Sequence, residues 1–279
     1  MKQLETIAII GVGLIGASVG MAVRERKLAR RVVGISRRQS TLRTARRQGA
    51  IDSGTQSLSR GVSAADLVVI CTPVGSVVPV ARQAAEHCGT EPLITDAGST
   101  KAEIVKQLDG GLAGGARFIG SHPMAGSEET GPRHARADLF ENRVVIITPT
   151  RQSKPADCRV VRDFWSALGA RVKKMKPAEH DRCVAAISHL PHLVAAALAA
   201  STGFKDLKDV ASGWLGTTRV ASGDVDLWMQ ILETNRPHVL KSLQQFARLV
   251  AELETALENG DDMKLRRILS DAKRKRDSA

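Results

Sequence analysis

The sequence predicts an α/β protein, an N-terminal doubly wound parallel sheet followed by an all-helical C-terminal domain. Three observations carry this. A short apolar run, Ile7 to Ile10, feeds directly into Gly11-Val12-Gly13-Leu14-Ile15-Gly16 and then into a small-residue helical stretch. Up to residue 176, short apolar runs alternate with segments of helical length and pattern, the signature of strands crossing over through helices. Beyond Pro177 no convincing strand pattern remains.

The strand candidates, in order, are Ile7–Ile10, Val32–Ile35, Leu67–Cys71, Leu93–Thr95, Phe118–Gly120 and Val144–Thr148. Each is a short apolar run bounded by Gly, Pro, Asp or Thr. A helix near Ala156–Leu168 and a strand near Arg171–Met175 complete a dinucleotide-binding domain over residues 1–176. A helical domain for substrate and dimerisation then covers 177–279. Its first helix, Ala178 to Ala200, is rich in alanine and must kink at Pro191, which lacks an N–H. Asn235 to Glu258 carries Val239, Leu240, Leu243, Phe246, Leu249, Val250, Leu253 and Leu257 on one broad face. Gly260 ends that run, and Asp262 is placed to cap a last helix from Met263 to about Lys275. The basic tail at 273–279 is expected to be disordered. A long apolar helical face of this kind suits burial in a second subunit, so a homodimer through the helical domain is expected.

Composition narrows the class. Hydrophobic residues make up 43% of the 279, enough for substantial cores. No stretch reads as the roughly 20 apolar residues of a membrane span, and the N-terminus lacks the pattern of a secretory signal. A cytoplasmic location without membrane contact is expected. Cys71, Cys88, Cys158 and Cys183 are scattered and read as reduced thiols. The net charge of +12 fits anionic ligands, whereas 3% aromatic content and the lack of tyrosine argue against stacking on nucleic acid bases.

The glycine turn has a specific chemistry. Strand before, helix after and the G-x-G-x-x-G spacing together form the dinucleotide fingerprint of a Rossmann domain. Gly11 permits the tight turn, Gly13 lets the backbone approach a pyrophosphate, and Gly16 lets helix and strand pack closely. The helix N-terminus then offers N–H groups to the anion. The second strand ends in Ser36-Arg37-Arg38 with no acid where NAD enzymes usually carry one. A hydroxyl and two guanidinium groups suit a 2′-phosphate, so NADP is expected to be preferred over NAD. The cofactor contacts expected are Gly11, Gly13, Leu14, Ile15, Gly16, Ser36, Arg37 and Arg38, with Thr72 and Pro73 at the third strand end.

Two further segments come directly after strands and so lie at the ligand crevice: Thr95-Asp96-Ala97-Gly98-Ser99-Thr100-Lys101, and Gly120-Ser121-His122-Pro123-Met124-Ala125-Gly126-Ser127-Glu128. The imidazole of His122 can accept a proton from a substrate hydroxyl while a nearby serine orients it. Together with the CTPV of Cys71–Val74, the ITPT of Ile147–Thr150 and the ISHLPH of Ile187–His192, these segments resemble the prephenate/arogenate dehydrogenase family of tyrosine biosynthesis. The resemblance covers nearly the whole chain in the right order.

That resemblance implies hydride removal from C4 of a cyclohexadienol as carboxylate is lost from C1, with prephenate, arogenate or both as substrate. It assigns His122 as the histidine that takes the C4 hydroxyl proton and Ser99 as the serine that holds that hydroxyl and the histidine. It matches Gly216–Ala221 to a segment whose arginine, Arg219, binds a substrate carboxylate. It also points the Ile187–His192 segment toward the cleft. On a straight helix Asp181, Ser188 and His192 share one face, with His189 off to the side, so His192 is the better substrate contact. Ser127, Ser188 and Asp181 join the expected substrate contacts, with Asp181 also placed to orient a histidine or arginine. Trp228 could wall the pocket or belong to the core. No metal is expected, since His189 and His192 lack further ligands at suitable spacing. Leu215 and Gly216 stand where relatives often carry a basic residue and an acid, which leaves keto acid against amino acid open. A hydroxy-acid dehydrogenase or imine reductase, and a catalytically silent dinucleotide sensor or basic regulatory module, are the competing readings.

Overall fold

The computed structural model describes residues 3–89, 91–126 and 129–278. The chain runs β1 (Leu4–Ile10), α1 (Leu14–Glu25), β2 (Ala29–Ile35), α2 (Gln39–Arg47), β3 (Ser53–Thr55), α3 (Leu58–Val62), β4 (Leu67–Ile70), α4 (Val77–His87), β5 (Leu93–Asp96), α5 (Ala102–Leu108), β6 (Arg117–Pro123), β7 (Val144–Thr148), α6 (Pro155–Ala167) and β8 (Arg171–Lys174). The helices α7 (Pro177–Val184), α8 (Leu190–Ser201), α9 (Ser212–Thr218), α10 (Val225–Thr234), α11 (Arg236–Glu258) and α12 (Asp262–Asp277) complete it.

The strands form one eight-stranded sheet in the order β3-β2-β1-β4-β5-β6-β7-β8. Successive residues of β1 serve opposite faces, as the strand period requires. Ile7 and Ile9 join a core with Ala17, Val19, Leu42, Phe164 and Trp165, whereas Ala8 and Ile10 join one with Val62, Ala81, Ala84, Ile104 and Leu108. Helices α1, α2 and α6 therefore cover one face, and α3, α4 and α5 the other. The strand order reverses between β1 and β4, and the C-terminal ends of β1, β4, β5 and β6 share one edge. That edge is where a doubly wound sheet binds ligands.

The sheet is parallel only as far as β6. Residues 120–123 of β6 pair with β7 antiparallel, and β8 then runs parallel to β7. The segment between β6 and β7 contains only the short turn Pro132–His134 among its described residues. A parallel neighbour needs a long crossover; an antiparallel one does not. The expected strands are all present, and β3 is an addition.

Two compact units emerge, residues 1–235 and 236–279. Helices α7 to α10 group with the sheet in the first unit, where their side chains bond into it. Asp181 of α7 accepts from the Lys101 N–H, and Gln230 of α10 accepts from the Gly75 N–H. In the second unit Gly260 adopts φ +62° and Asp261, not Asp262, caps α12 by accepting from the Lys264 N–H at 2.9 Å. The tail expected to be disordered is helical through Asp277. Leu240, Leu243, Leu249, Val250 and Leu257 of α11 are exposed in the single chain.

The segment Pro177–Ser201 corrects one expectation: over 25 residues it is long and apolar enough to cross a membrane by length and composition. Its alanines raise the average, while its polar side chains His180, Asp181, His189 and His192 are buried inside the first unit. The segment is also not one regular helix, since Ala185–His189 forms a π turn between α7 and α8.

Candidate active site

At the end of β1, Gly11 adopts φ +91°, and a Cβ there would stand 2.7 Å from the Cys71 carbonyl oxygen. A Cβ on Gly16 would meet the Gly11 carbonyl at 2.1 Å, so the turn and helix α1 close only on hydrogen. Gly13, by contrast, faces open space where a Cβ would project. Helix α1 has neither a side-chain cap nor an acid in its first turn, leaving its N–H groups for an anion. Thr72, just beyond β4, has a buried hydroxyl without a hydrogen-bond partner. This open cradle and orphaned hydroxyl fit a dinucleotide. At the end of β2 the exposed Arg37 and Arg38 flank α2; Arg38 N–H donates to Ser36 Oγ at 3.4 Å and Gln56 Nε2 to the Arg37 carbonyl at 2.6 Å. Pro73 is exposed beside Thr72, and Leu14 and Ile15 are half-buried at the start of α1.

Farther along the same edge, β5 ends in Asp96, which is fully buried. Asp96 Oδ1 accepts from the Ser121 N–H at 3.0 Å, and Oδ2 accepts from the Gly98 N–H at 2.9 Å. The second oxygen is also ion-paired with the buried Lys101 ammonium. The Ser121 hydroxyl accepts from the Trp165 indole N–H at 2.9 Å. The strand carrying His122 is thus pinned to the loop that carries Ser99. On the other side of β6, Gly120 permits the close approach of β7, since a Cβ there would be 2.5 Å from Thr148 Oγ1.

His122 is 9% exposed, and its Nδ1 lies 2.9 Å from His180 Nε2. His180 Nδ1 lies 2.7 Å from Asp181 Oδ1. Asp181 also accepts from the Lys101 N–H at 2.7 Å and the Ala102 N–H at 2.9 Å. Burial works against the Asp181 charge, but the His180 and backbone hydrogen bonds prevail and hold its carboxyl below the usual range. The carboxylate can only accept, so His180 carries its proton on Nδ1 and presents a bare Nε2. His122 must then donate from Nδ1, which leaves His122 Nε2 as a lone pair. Burial, then the neighbouring His180, Lys101 and His189, push the His122 pKa well below its ordinary value, so the ring is neutral at neutral pH.

The sequence reading overlooked His180. Its signal was the His180-Asp181 pair in the first helix after Pro177, but Asp181 was read with Ser188 and His192 on a straight helix. The π turn breaks that spacing. It holds one extra residue and rotates the rest of the helix back by about 100°, which brings His189 from roughly 80° to within about 20° of Asp181. Asn235 verifies the alignment: its Nδ2 donates to the Asp181 carbonyl at 2.7 Å and meets His189 Nδ1 at 3.2 Å. His189 is therefore buried beneath Asp181, and burial pulls its pKa down to about 4. His192 stacks on Trp228, ring centroids 3.6 Å apart and 11° from parallel, and has a backbone hydrogen bond with Val220. Its Nδ1 is buried without a partner, and burial lowers its pKa.

Ser99 lies half-buried in the loop after β5; the ring of His122 is held by His180 rather than by that serine. Ser188 is half-buried in the π turn Ala185–His189, next to the buried His189. Ser127 lies outside the described residues. Arg219 is exposed at the start of a 3₁₀ turn, Arg219–Ser222. It lines an open cleft of about 660 Å³ with Trp214, Leu215, Gly216 and Thr218. Continuous contacts run from His122 through His180, Asp181, Asn235, His189, Trp228 and His192 to Val220, the residue after Arg219.

Comparison with known proteins shows the family. The family model described as prephenate dehydrogenase, nucleotide-binding domain, matches residues 19–174. The one described as prephenate dehydrogenase, dimerization domain, matches residues 176–271. The chain belongs to the prephenate dehydrogenase family. It is accordingly an oxidoreductase with a nicotinamide cofactor. Its relatives include the prephenate dehydrogenase of Bacillus subtilis (strain 168), 34% identical over 99% of this chain and 77% of that protein. Among solved structures, prephenate dehydrogenase from A. aeolicus in complex with hydroxyphenyl propionate and NAD+ superposes with a TM-score of 0.91. It is 28% identical, with 99% of this chain and 98% of that one covered. Synechocystis arogenate dehydrogenase gives a TM-score of 0.80 at 31% identity, with 98% and 99% covered.

Proposed function

We propose that this protein oxidatively decarboxylates prephenate to 4-hydroxyphenylpyruvate, using NADP in preference to NAD, as a homodimer. The observation that carries the reading is the hydrogen-bonded chain His122–His180–Asp181 at the sheet edge; with Asp181 accepting from His180, it assigns the lone pair of His122 to Nε2. Bound NAD(P)+ supplies the hydride acceptor. As C4 loses hydride it becomes a developing carbonyl, and His122 Nε2 draws off the hydroxyl proton. Loss of carbon dioxide from C1 then sends an electron pair into the ring, and aromatisation drives the step. The resulting phenolate takes the proton back, so His122 ends neutral.

The guanidinium of Arg219 suits one substrate carboxylate in two parallel bonds. His192, backed by Trp228, offers its unpartnered Nδ1 to the ligand, and Ser99, Ser188 and Ser127 are further substrate contacts in this reading. Prephenate is proposed as the ring substrate; among the described residues, those lining the Arg219 cleft are apolar or hydroxyl-bearing apart from the arginine itself. Ser36, Arg37 and Arg38 support NADP through the 2′-phosphate. The exposed apolar residues of α11 and the matched dimerization domain support a dimer.

The test is a two-by-two assay of prephenate and arogenate against NADP and NAD, read by reduced-nicotinamide absorbance. Turnover should be highest with prephenate and NADP. No turnover with either ring substrate would refute the reading. Light scattering should give twice the chain mass.

A further inference from the structure

We infer that the proton taken from the substrate hydroxyl is relayed through His122 to His180, where it is stored beside Asp181 until the phenolate reclaims it. The inference deepens the proposed function and rests on its assignment of His122 as the base. His180 and Asp181 are then positioning residues, and they also carry the transient charge.

The geometry supplies each link. His122 Nδ1 and His180 Nε2 are 2.9 Å apart, and His180 Nδ1 and Asp181 Oδ1 are 2.7 Å apart. All three side chains are buried, His180 and Asp181 at 0% and 1% exposure, so water does not compete for these bonds. Asp181 is clamped by two backbone N–H groups and cannot swing away. The proton count balances. The substrate O–H bond breaks as His122 Nε2–H forms; the His122 Nδ1–H bond breaks as His180 Nε2–H forms. His122 is again neutral, its proton now on Nε2, and His180 is an imidazolium whose Nδ1–H faces a carboxylate. Reprotonation of the phenolate reverses both transfers.

The surrounding charges favour His180 as the resting place. His122 feels the Lys101 ammonium, which is held by Asp96, together with His180 and His189. A cation on His122 would face that positive neighbour, whereas a cation on His180 lies against the Asp181 carboxylate.

Two measurements decide the matter. In His180→Gln, the amide oxygen can still accept from His122 Nδ1 and the amide N–H can still face Asp181, but the side chain cannot take a proton. We expect KM for prephenate and NADP to stay within about twofold, and kcat to fall on the order of a hundredfold, a general-base effect. The acidic limb of the kcat profile should also move to lower pH, because the base loses its charge store. Near-normal kcat with an unmoved limb overturns the relay. The second measurement needs neither that variant nor turnover: ¹⁵N NMR of the histidine rings in the intact wild-type protein, titrated with acid. The first proton to enter the pair should make His180 doubly protonated while His122 remains neutral. An imidazolium at His122 beside a neutral His180 overturns the proposal. Absence of turnover by the wild type faults the substrate assignment instead, and the NMR outcome still decides the relay.

Discussion

The Lys101 backbone N–H donates to Asp181 Oδ1 at 2.7 Å, a hydrogen bond that spans 80 residues. With the Ala102 N–H on the other oxygen, a carboxylate on α7 caps α5, whose own N-cap position has no side-chain cap. The same carboxylate fixes His180. Replacing Asp181 with Asn turns an amide N–H toward donors and frees the His180 tautomer. Asp181→Asn should lose about 1–3 kcal/mol in urea unfolding and lower kcat more than it raises KM. The Asp181 pKa is depressed in the folded state, so its stabilisation is present above the unfolded value and lost as pH falls through the folded one. The stability gap between wild type and variant should therefore be full at neutral pH and close below about pH 4.

The buried histidines make a second pH prediction. His189 is held at about 4 by burial, and His122 and His192 are also lowered. Between the ordinary histidine value near 6.5 and the folded values, the unfolded chain binds protons that the native one refuses. Stability should be full above about pH 6.5 and fall as pH drops, His189 contributing about 1.4 kcal/mol per pH unit toward 4 and the other two rings acting in the same direction. Unfolding free energies at several pH values will give the slope. His189→Gln should reduce it by one proton; an unchanged slope would remove His189 from the account.

The residues explain why some of this was legible in the sequence and some was not. Strands buried on both faces must be apolar throughout, so Ile7–Ile10 and Leu67–Ile70 announced themselves. Gly11 and Gly16 were legible because only hydrogen fits against the Cys71 and Gly11 carbonyls. By contrast β3 is Ser53-Gly54-Thr55, with no apolar run to detect. The reversal at β7 was hidden because an apolar strand looks the same in either direction. His180 was lost to the π turn, which shifts the face on which every later side chain falls, and no single residue type marks such a turn. The adjacent His180-Asp181 pair marked a candidate site, but adjacency alone does not tell which strand the ring reaches.

Lys101 and Asp96 provide a sharper test of how the site is held. Both side chains are fully buried and ion-paired. Burial pulls the Lys101 pKa down, against the pull of Asp96 and Asp181. Lys101→Met removes the cation and strands the Asp96 charge, an outcome that costs about 3–5 kcal/mol. Adding Asp96→Asn removes the stranded charge while keeping a carbonyl oxygen for the Ser121 or Gly98 N–H. The double variant should recover part of the loss in chemical denaturation. Additive losses would show that the pair does not act as a unit.

Arg37 and Arg38 give the last prediction, on cofactor choice. Both are exposed at the end of β2, beside Ser36, and Gln56 steadies the Arg37 carbonyl. A guanidinium in this place attracts a 2′-phosphate and is indifferent to the hydroxyl of NAD, so the two cofactors should respond differently to its loss. Arg37→Ala with Arg38→Ala should raise KM for NADP at least tenfold, equivalent to about 1.4 kcal/mol, and leave KM for NAD within about twofold. Salt should weaken NADP binding in the wild type more than in the variant, because exposed charges are screened. Equal losses for both cofactors would mean that these arginines support the fold of α2 and do not read the phosphate.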